Sequence, residues 1–215
     1  MQSAKEKLYE DVDLFRDMLG IPLNCPIRLV DALTPYTRFD IEYHQFKTPG
    51  LCGIAMVGNK IDTIVLNSNR TAEEQNFDCG HELLHLIEHR QVQDSFNCFT
   101  KAKPQQNTFH EWQANEGSAQ LLVPYQDFIP RFASSLNNNV IGIQGILAEH
   151  YHVTTQVINI RMDSLAYELD QFREGTHLDC LELLSRKQRR QRGITTTSYQ
   201  ALCDFSLDWD SAIGF

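Results

Sequence analysis

His81, Glu82 and His85 stand in the order His-Glu-Leu-Leu-His. On an α-helix, residues i and i+4 share a face, so the two imidazoles point the same way and can grip one metal ion. Glu82 follows His81 directly and sits beside that ion, where it can take a proton from water that the metal activates. Zinc suits imidazole and carboxylate ligands and leaves a fourth position for that water. The competing reading is two core histidines satisfied by hydrogen bonds. It leaves three polar groups of a buried helix in need of separate partners, and uncompensated polar burial is expensive.

A catalytic zinc needs a third protein ligand. A metzincin-type histidine would lie six residues after His85 with a glycine three after, and those positions hold Gln91 and Glu88. His89 lies one turn beyond His85, and a straight helix does not easily bring three successive turns to one ion. A carboxylate on a later helix remains, and Glu111 and Glu116 both qualify, with His110 beside them. Glu111 is favoured because it opens that helix, close to the returning loop. Asn115, at i+4, could support a metal-bound imidazole from behind. Thr108-x-x-Glu111 also has capping-box spacing, so the carboxylate could cap its own helix. Glu116 is turned from Glu111 by roughly 140° at 3.6 residues per turn, so the two do not easily serve one ion.

The surrounding pattern supplies the elements that must hold these side chains. Ser3 and Glu6 open a first helix with the stripe Leu8, Val12, Phe15 and Leu19, ended by Gly20 and Pro22. Alternation at Phe39, Ile41 and Tyr43, the apolar run 51–57, a Gly58-Asn59 turn and the run 61–66 predict three strands of a small, mostly antiparallel sheet. Thr71 and Glu74 open the helix that carries His81, with apolar residues on several faces, so it is expected to be buried. Residues 91–107 read as loop, 108–123 as helix stopped by Pro124, and the chain after Pro130 as irregular. Helices over 141–150 and 154–169 have helix-turn-helix spacing, and one more is possible over 178–192.

The chain resembles the ImmA/IrrE family of zinc metallopeptidases. The resemblance rests on the nine residues from His81 to His89, on Glu111-x-x-Ala114-Asn115, and on Ala119 with Leu121-Leu122-Val123-Pro124. The strand ending Val65-Leu66-Asn67 and the segment 151–165 are also similar, and the resemblance spans 23–169, leaving the tail after Gly175 uncovered. Ser118 stands where the family usually has phenylalanine. The resemblance implies an α+β, zincin-like minimal metallopeptidase: a small sheet packed on helices, followed by a helix-turn-helix-like helical segment. It places the third-ligand role on Glu111 and implies a helix-turn-helix repressor as substrate, cleaved to relieve repression. We divide the chain into a peptidase unit over 1–130, the helical segment over 131–175, and a tail over 176–215 of unassigned role.

Composition sets the bounds. The chain has 215 residues, 42% hydrophobic and 22% charged, as in a folded globular protein. Its net charge of −9 is the wrong sign for a general nucleic-acid or membrane-surface binder. Direct nucleic-acid binding by the helical segment is therefore disfavoured, although Arg186, Lys187, Arg189, Arg190 and Arg192 form a basic run that could dock on an acidic partner. No apolar stretch reaches the roughly 20 residues of a membrane span. The six cysteines form no Cys-x-x-Cys pair, and the N-terminal residues carry no signal-like apolar region, so a cytoplasmic chain with reduced thiols is expected. An oxyanion-stabilising group is expected from Tyr125, His110, His150, Tyr151 or His152. The alternative from another class is a non-proteolytic regulator that binds a transcription factor or DNA around a structural or vestigial zinc. The intact Glu82 argues against it.

Overall fold

In the computed structural model, which describes residues 3–101, 103, 104 and 106–203, the central helix α3 (Ala72–Glu88) starts at a full capping box. The Glu74 amide donates to the Thr71 hydroxyl and the Thr71 amide donates to the Glu74 carboxylate. As the apolar residues on several faces predict, α3 is buried at nearly every position from Asn76 to Leu86. One of its flanks is a four-stranded sheet of β1 (Phe39–His44), β2 (Leu51–Met56), β3 (Asp62–Asn67) and β4 (Ser95–Phe99), in the order β1-β3-β2-β4. β2 pairs antiparallel with β3 across the Gly58-Asn59 turn and with β4 on its other side, whereas β1 runs parallel to β3. Two of the three pairings are thus antiparallel, and the fold is α+β.

β4 corrects the reading of 91–107 as loop. Its five residues alternate buried Phe96 and Cys98 with exposed Ser95 and Asn97. That signal is too short to stand alone, and the strand forms because β2 offers it a partner. Consequently the 51–66 region lies inside the sheet, and its edges are β1 and β4.

Against the other flank of α3 lies α4 (Thr108–Leu122). Two glycines set that approach. A Cβ on Gly80 would stand 2.4 Å from Ser118 Oγ, and one on Gly117 would stand 2.8 Å from Leu84 Cδ1. Ser118 is fully buried and donates to the Phe77 carbonyl (3.1 Å), so the small residue at this position matches a close helix pair. α1 (Ala4–Met18), opened by a capping box at Ser3, packs on α4, and α2 (Leu29–Leu33) packs on α3.

The remaining helices extend the same core. α5 (Tyr125–Asn137) runs straight through Pro130, where an irregular chain was expected. The proline forfeits one backbone bond, but Phe128, Ile129, Phe132 and Ala133 are buried by keeping the helix intact. α6 (Ile143–Tyr151) and α7 (Thr155–Ser164) flank a turn at His152 (φ 54°), and α8 (Ala166–Arg173) follows a break at Leu165. Asn76 of α3 donates to the His152 and Ile27 carbonyls and accepts from the Leu29 amide, which ties that turn to the central helix. In the tail, α9 (Arg186–Gln191) carries the basic run, and residues 204–215 lie outside the described residues. One apolar cluster runs from Leu8 and Val12 through Leu83, Phe128, Leu147 and Ile158 to Leu169 and Tyr199.

Candidate metal centre

α3 brings His81 and His85 one turn apart on a buried face, with their Nε2 atoms 3.1 Å from each other. α4 brings Glu111 to the same point: Oε2 lies 3.4 Å from His81 Nε2 and Oε1 lies 3.6 Å from His85 Nε2. Glu111 is available because it does not cap its helix. Asn107 does, its Oδ1 accepting from the Phe109 and His110 amides. Glu116 points the other way, toward Tyr9 and Arg161.

Each imidazole is held from behind. His81 Nδ1 lies 3.1 Å from Asn115 Oδ1, and His85 Nδ1 lies 2.9 Å from His89 Nδ1, whose Nε2 lies 3.2 Å from Gln113 Oε1. With the carboxamide oxygens as acceptors, His81 and His85 both carry their proton on Nδ1, and both Nε2 atoms present lone pairs. Burial, together with His81, His89 and His110, pushes the His85 pKa down to about 2, so its ring is neutral. Phe96 of β4 stacks on His85 (centroids 4.5 Å apart, 9° between planes), and His110 stacks on His89 at 4.4 Å.

Two imidazole nitrogens and a carboxylate therefore converge on one point. A tetrahedral zinc with bonds of about 2.0–2.1 Å spaces its ligands roughly 3.3 Å apart, close to the separations found here. The donor set fits a small divalent cation with imidazole and carboxylate preference, and one position is left for water or substrate.

Glu82 is fully buried, and among the described residues its carboxylate oxygens make no hydrogen bond of normal geometry, the Cys98 backbone alone lying near enough to favour the charged form. Burial raises its pKa well above the usual carboxylate range, and the negative groups Asp78, Glu111 and Cys52 push the same way. Room for the side chain comes from Gly53 of β2, where a Cβ would stand 2.9 Å from Glu82 Oε1. A carboxyl group in this setting can receive and hold a proton.

Of the five groups proposed as oxyanion stabilisers, only His110 lies beside this centre. Tyr151 is buried and donates to Asp127 (2.7 Å), with His150 Nε2 at 3.7 Å from the same carboxylate. His152 faces Arg28, and Tyr125 stacks on Tyr9 beyond the far end of α4. Sequence reasoning passed over Gly53, Phe96 and the groups Cys52, Asp78 and Cys98. Only the strand β4, hidden in a segment read as loop, would have exposed Phe96 and Cys98.

Among the described residues no helix is long and apolar enough to cross a membrane. Comparison with known proteins finds no match among curated proteins. A family model described as Peptidase M78, IrrE N-terminal-like domain, matches residues 30–163, a span that holds β1 to β4, α3, α4 and every residue of the centre.

Proposed function

Since the chain belongs to the Peptidase M78 family, with its metallopeptidase-type function and zincin-like fold, we propose that it is a zinc-dependent endopeptidase that cleaves a helix-turn-helix transcriptional repressor. In this reading His81, His85 and Glu111 hold the zinc, Asn115 orients His81, and Glu82 is the general base. When bound, zinc supplies Lewis acidity that polarises a peptide carbonyl and acidifies water.

Glu82 does the proton work. A buried carboxylate with a raised pKa, steadied by little beyond the Cys98 backbone, takes the proton of attacking water, keeps it in its pocket, and returns it to the departing amine nitrogen. Asn115 and the His89–Gln113 pair keep both imidazoles in the tautomer that directs Nε2 at the ion. The exposed edge of β4 is the place where an extended substrate can add as a further strand, with Phe96 packing under it against His85. The repressor as substrate rests on the family resemblance of the zinc and Glu111 helices.

The observation that carries the reading is the convergence of His81, His85 and Glu111 beside the buried carboxylate of Glu82. The test is incubation of the purified chain with a helix-turn-helix repressor from the same genome, with and without chelator, for wild type and Glu82→Gln. Chelator-sensitive fragments from wild type, and none from a Glu82→Gln protein that binds as much zinc as wild type, are expected. Fragments from Glu82→Gln defeat the assignment of the base. A stable complex that never yields fragments defeats the peptidase reading in favour of a binding protein.

A further inference from the structure

A second group of metal-ligating side chains lies outside the centre above. Cys52 of β2, Cys98 of β4 and Asp78 of α3 are all buried, and their ligand atoms lie within 4.8 Å of one another. The convergence is built by a bulge. Leu51 pairs with Phe99 and Gly53 with Cys98, so Cys52 is the extra residue between two paired positions. We propose that Cys52, Cys98 and Asp78 form a second cation site, separate from His81, His85 and Glu111, that takes a soft divalent ion such as Zn2+ or Cd2+.

The geometry suits such an ion. Bonds of about 2.3 Å to sulfur and 2.0–2.2 Å to a carboxylate oxygen space tetrahedral ligands roughly 3.5–3.8 Å apart, so the donors need to draw in by about 1 Å at most. Two thiolates and a carboxylate select soft over hard cations. The sulfurs already interact: a hydrogen bond from Cys98 lowers the Cys52 pKa, with Arg70 acting in the same direction. Ion binding completes the step by releasing the thiol protons to solvent.

Arg70 is the natural competitor and the reason the site tolerates burial. Its Nε lies 2.5 Å from Asp78 Oδ2, and its Nη1 lies 3.5 Å from Glu74 Oε1 one turn toward the start of α3. An incoming cation replaces the guanidinium at Asp78, and Arg70 retains Glu74 as its partner. Entry is open, because Cys52, Arg70, Glu74, Asp78 and Cys98 all line one broad solvent-connected groove. Buried thiols are usually only packing. Two of them facing a buried carboxylate, with a cationic side chain on it and a path to solvent, make a ligand set.

The test is a Cd2+ titration of the reduced, metal-stripped full chain, following the thiolate-to-cadmium charge-transfer absorption and the number of ions bound at equilibrium dialysis. Wild type is expected to bind two ions, one of them with the charge-transfer band. His81→Ala/His85→Ala is expected to lose one ion and keep the band. Cys52→Ser is expected to lose the band and one ion, and Arg70→Gln to tighten the band-forming site by about tenfold as the competing charge goes. In wild type, Cd2+ should also shield Cys52 and Cys98, but not the exposed Cys25 and Cys180, from alkylation mapped by mass spectrometry, a readout independent of whether any variant folds. No band with wild type, a band that survives in Cys52→Ser, or a band lost in His81→Ala/His85→Ala overturns the proposal. None of these outcomes depends on whether the chain cleaves a repressor.

Discussion

Glu116 and Glu82 show two opposite ways of keeping a carboxylate away from water. Glu116, on the face of α4 turned to α1 and α7, takes a hydrogen bond from the Tyr9 hydroxyl and an ion pair from Arg161 Nη1 at 3.1 Å. Burial pushes its pKa up, but Lys5 and Arg161, with the Tyr9 bond, outweigh that and leave it below the usual range. Arg161 is itself buried and also bonds the Val123 carbonyl and Gln120 Oε1, while Lys5 pairs with Glu168 at 2.7 Å. Glu82, on the other flank of the same helix pair, faces the negative groups Asp78, Glu111 and Cys52, with the Cys98 backbone alone favouring its charged form and no cation among the described residues beside it. Removal from solvent, complete at Glu82 and partial at Glu116, thus goes with cohesion where the neighbours are cations and donors, and with a raised pKa where they are anions.

The largest effect is expected on the satisfied side. Arg161→Met strands Glu116 and the Gln120 and Val123 oxygens, and breaking a buried pair by removing one partner costs about 3–5 kcal/mol. Urea unfolding of the metal-stripped protein measures it. A loss below about 1 kcal/mol would mean that this network contributes little to cohesion.

Glu82→Gln should act in the opposite sense on the same measurement. Because the folded Glu82 pKa is raised, the native state binds more protons than the unfolded chain between the ordinary carboxylate value and the folded one. Wild-type stability from this group therefore falls as pH rises through that window, and a neutral amide escapes the loss. The variant of the metal-stripped protein is expected to match wild type near pH 4 and to exceed it by about 1–3 kcal/mol at alkaline pH. Asp78, raised to about 6 by burial against the opposing pull of Arg70, adds a wild-type decline of the same sign that the variant shares. A Glu82→Gln protein that is weaker at every pH would erase the contrast between the two carboxylates.

This contrast was only half visible in the sequence. The candidate metal centre was legible because it is local: His81, Glu82 and His85 lie within one turn and a half, and Thr71 with Glu74 marks where their helix begins. Glu111 and Asn115 were legible as an i, i+4 pair on the next helix, although the cap residue proved to be Asn107 and not Thr108. The cohesive side was not legible. Lys5 and Arg16 border the apolar stripe of α1, but nothing local marks a lysine and an arginine for burial; both are buried because their partners Glu168 and the Leu121, Pro22 and Cys25 carbonyls come mostly from remote parts of the chain. β4 failed for the same reason, since an edge strand of five residues is specified by the strand beside it.

Gly53 tests whether the space around Glu82 is as specific as its charge. Gly53→Ala places a methyl group 2.9 Å from Glu82 Oε1 and 3.0 Å from its Cγ, so the carboxylate must shift. Turnover of the repressor is expected to fall roughly 10- to 100-fold, with zinc content unchanged, because misplacing a reacting group weakens the chemical step and not the ligand set. Equal turnover in Gly53→Ala and wild type would show that the position of Glu82 is not set by β2.

The finest test uses adjacent residues of α4. Asn115 is exposed and touches the centre only through His81 Nδ1, whereas Glu116 touches only the cohesive network. Asn115→Ala is expected to weaken zinc affinity by roughly tenfold, as loss of an imidazole's outer hydrogen bond does, and to leave the unfolding midpoint of the metal-stripped protein in place. Glu116→Ala is expected to do the reverse, lowering that midpoint while competition with a chelator returns the wild-type zinc affinity. Neighbours one position apart point about 100° apart on a helix, which is enough to divide one element between two tasks. If both substitutions moved both quantities, α4 would have to transmit strain from one face to the other, and the two faces could no longer be treated as independent.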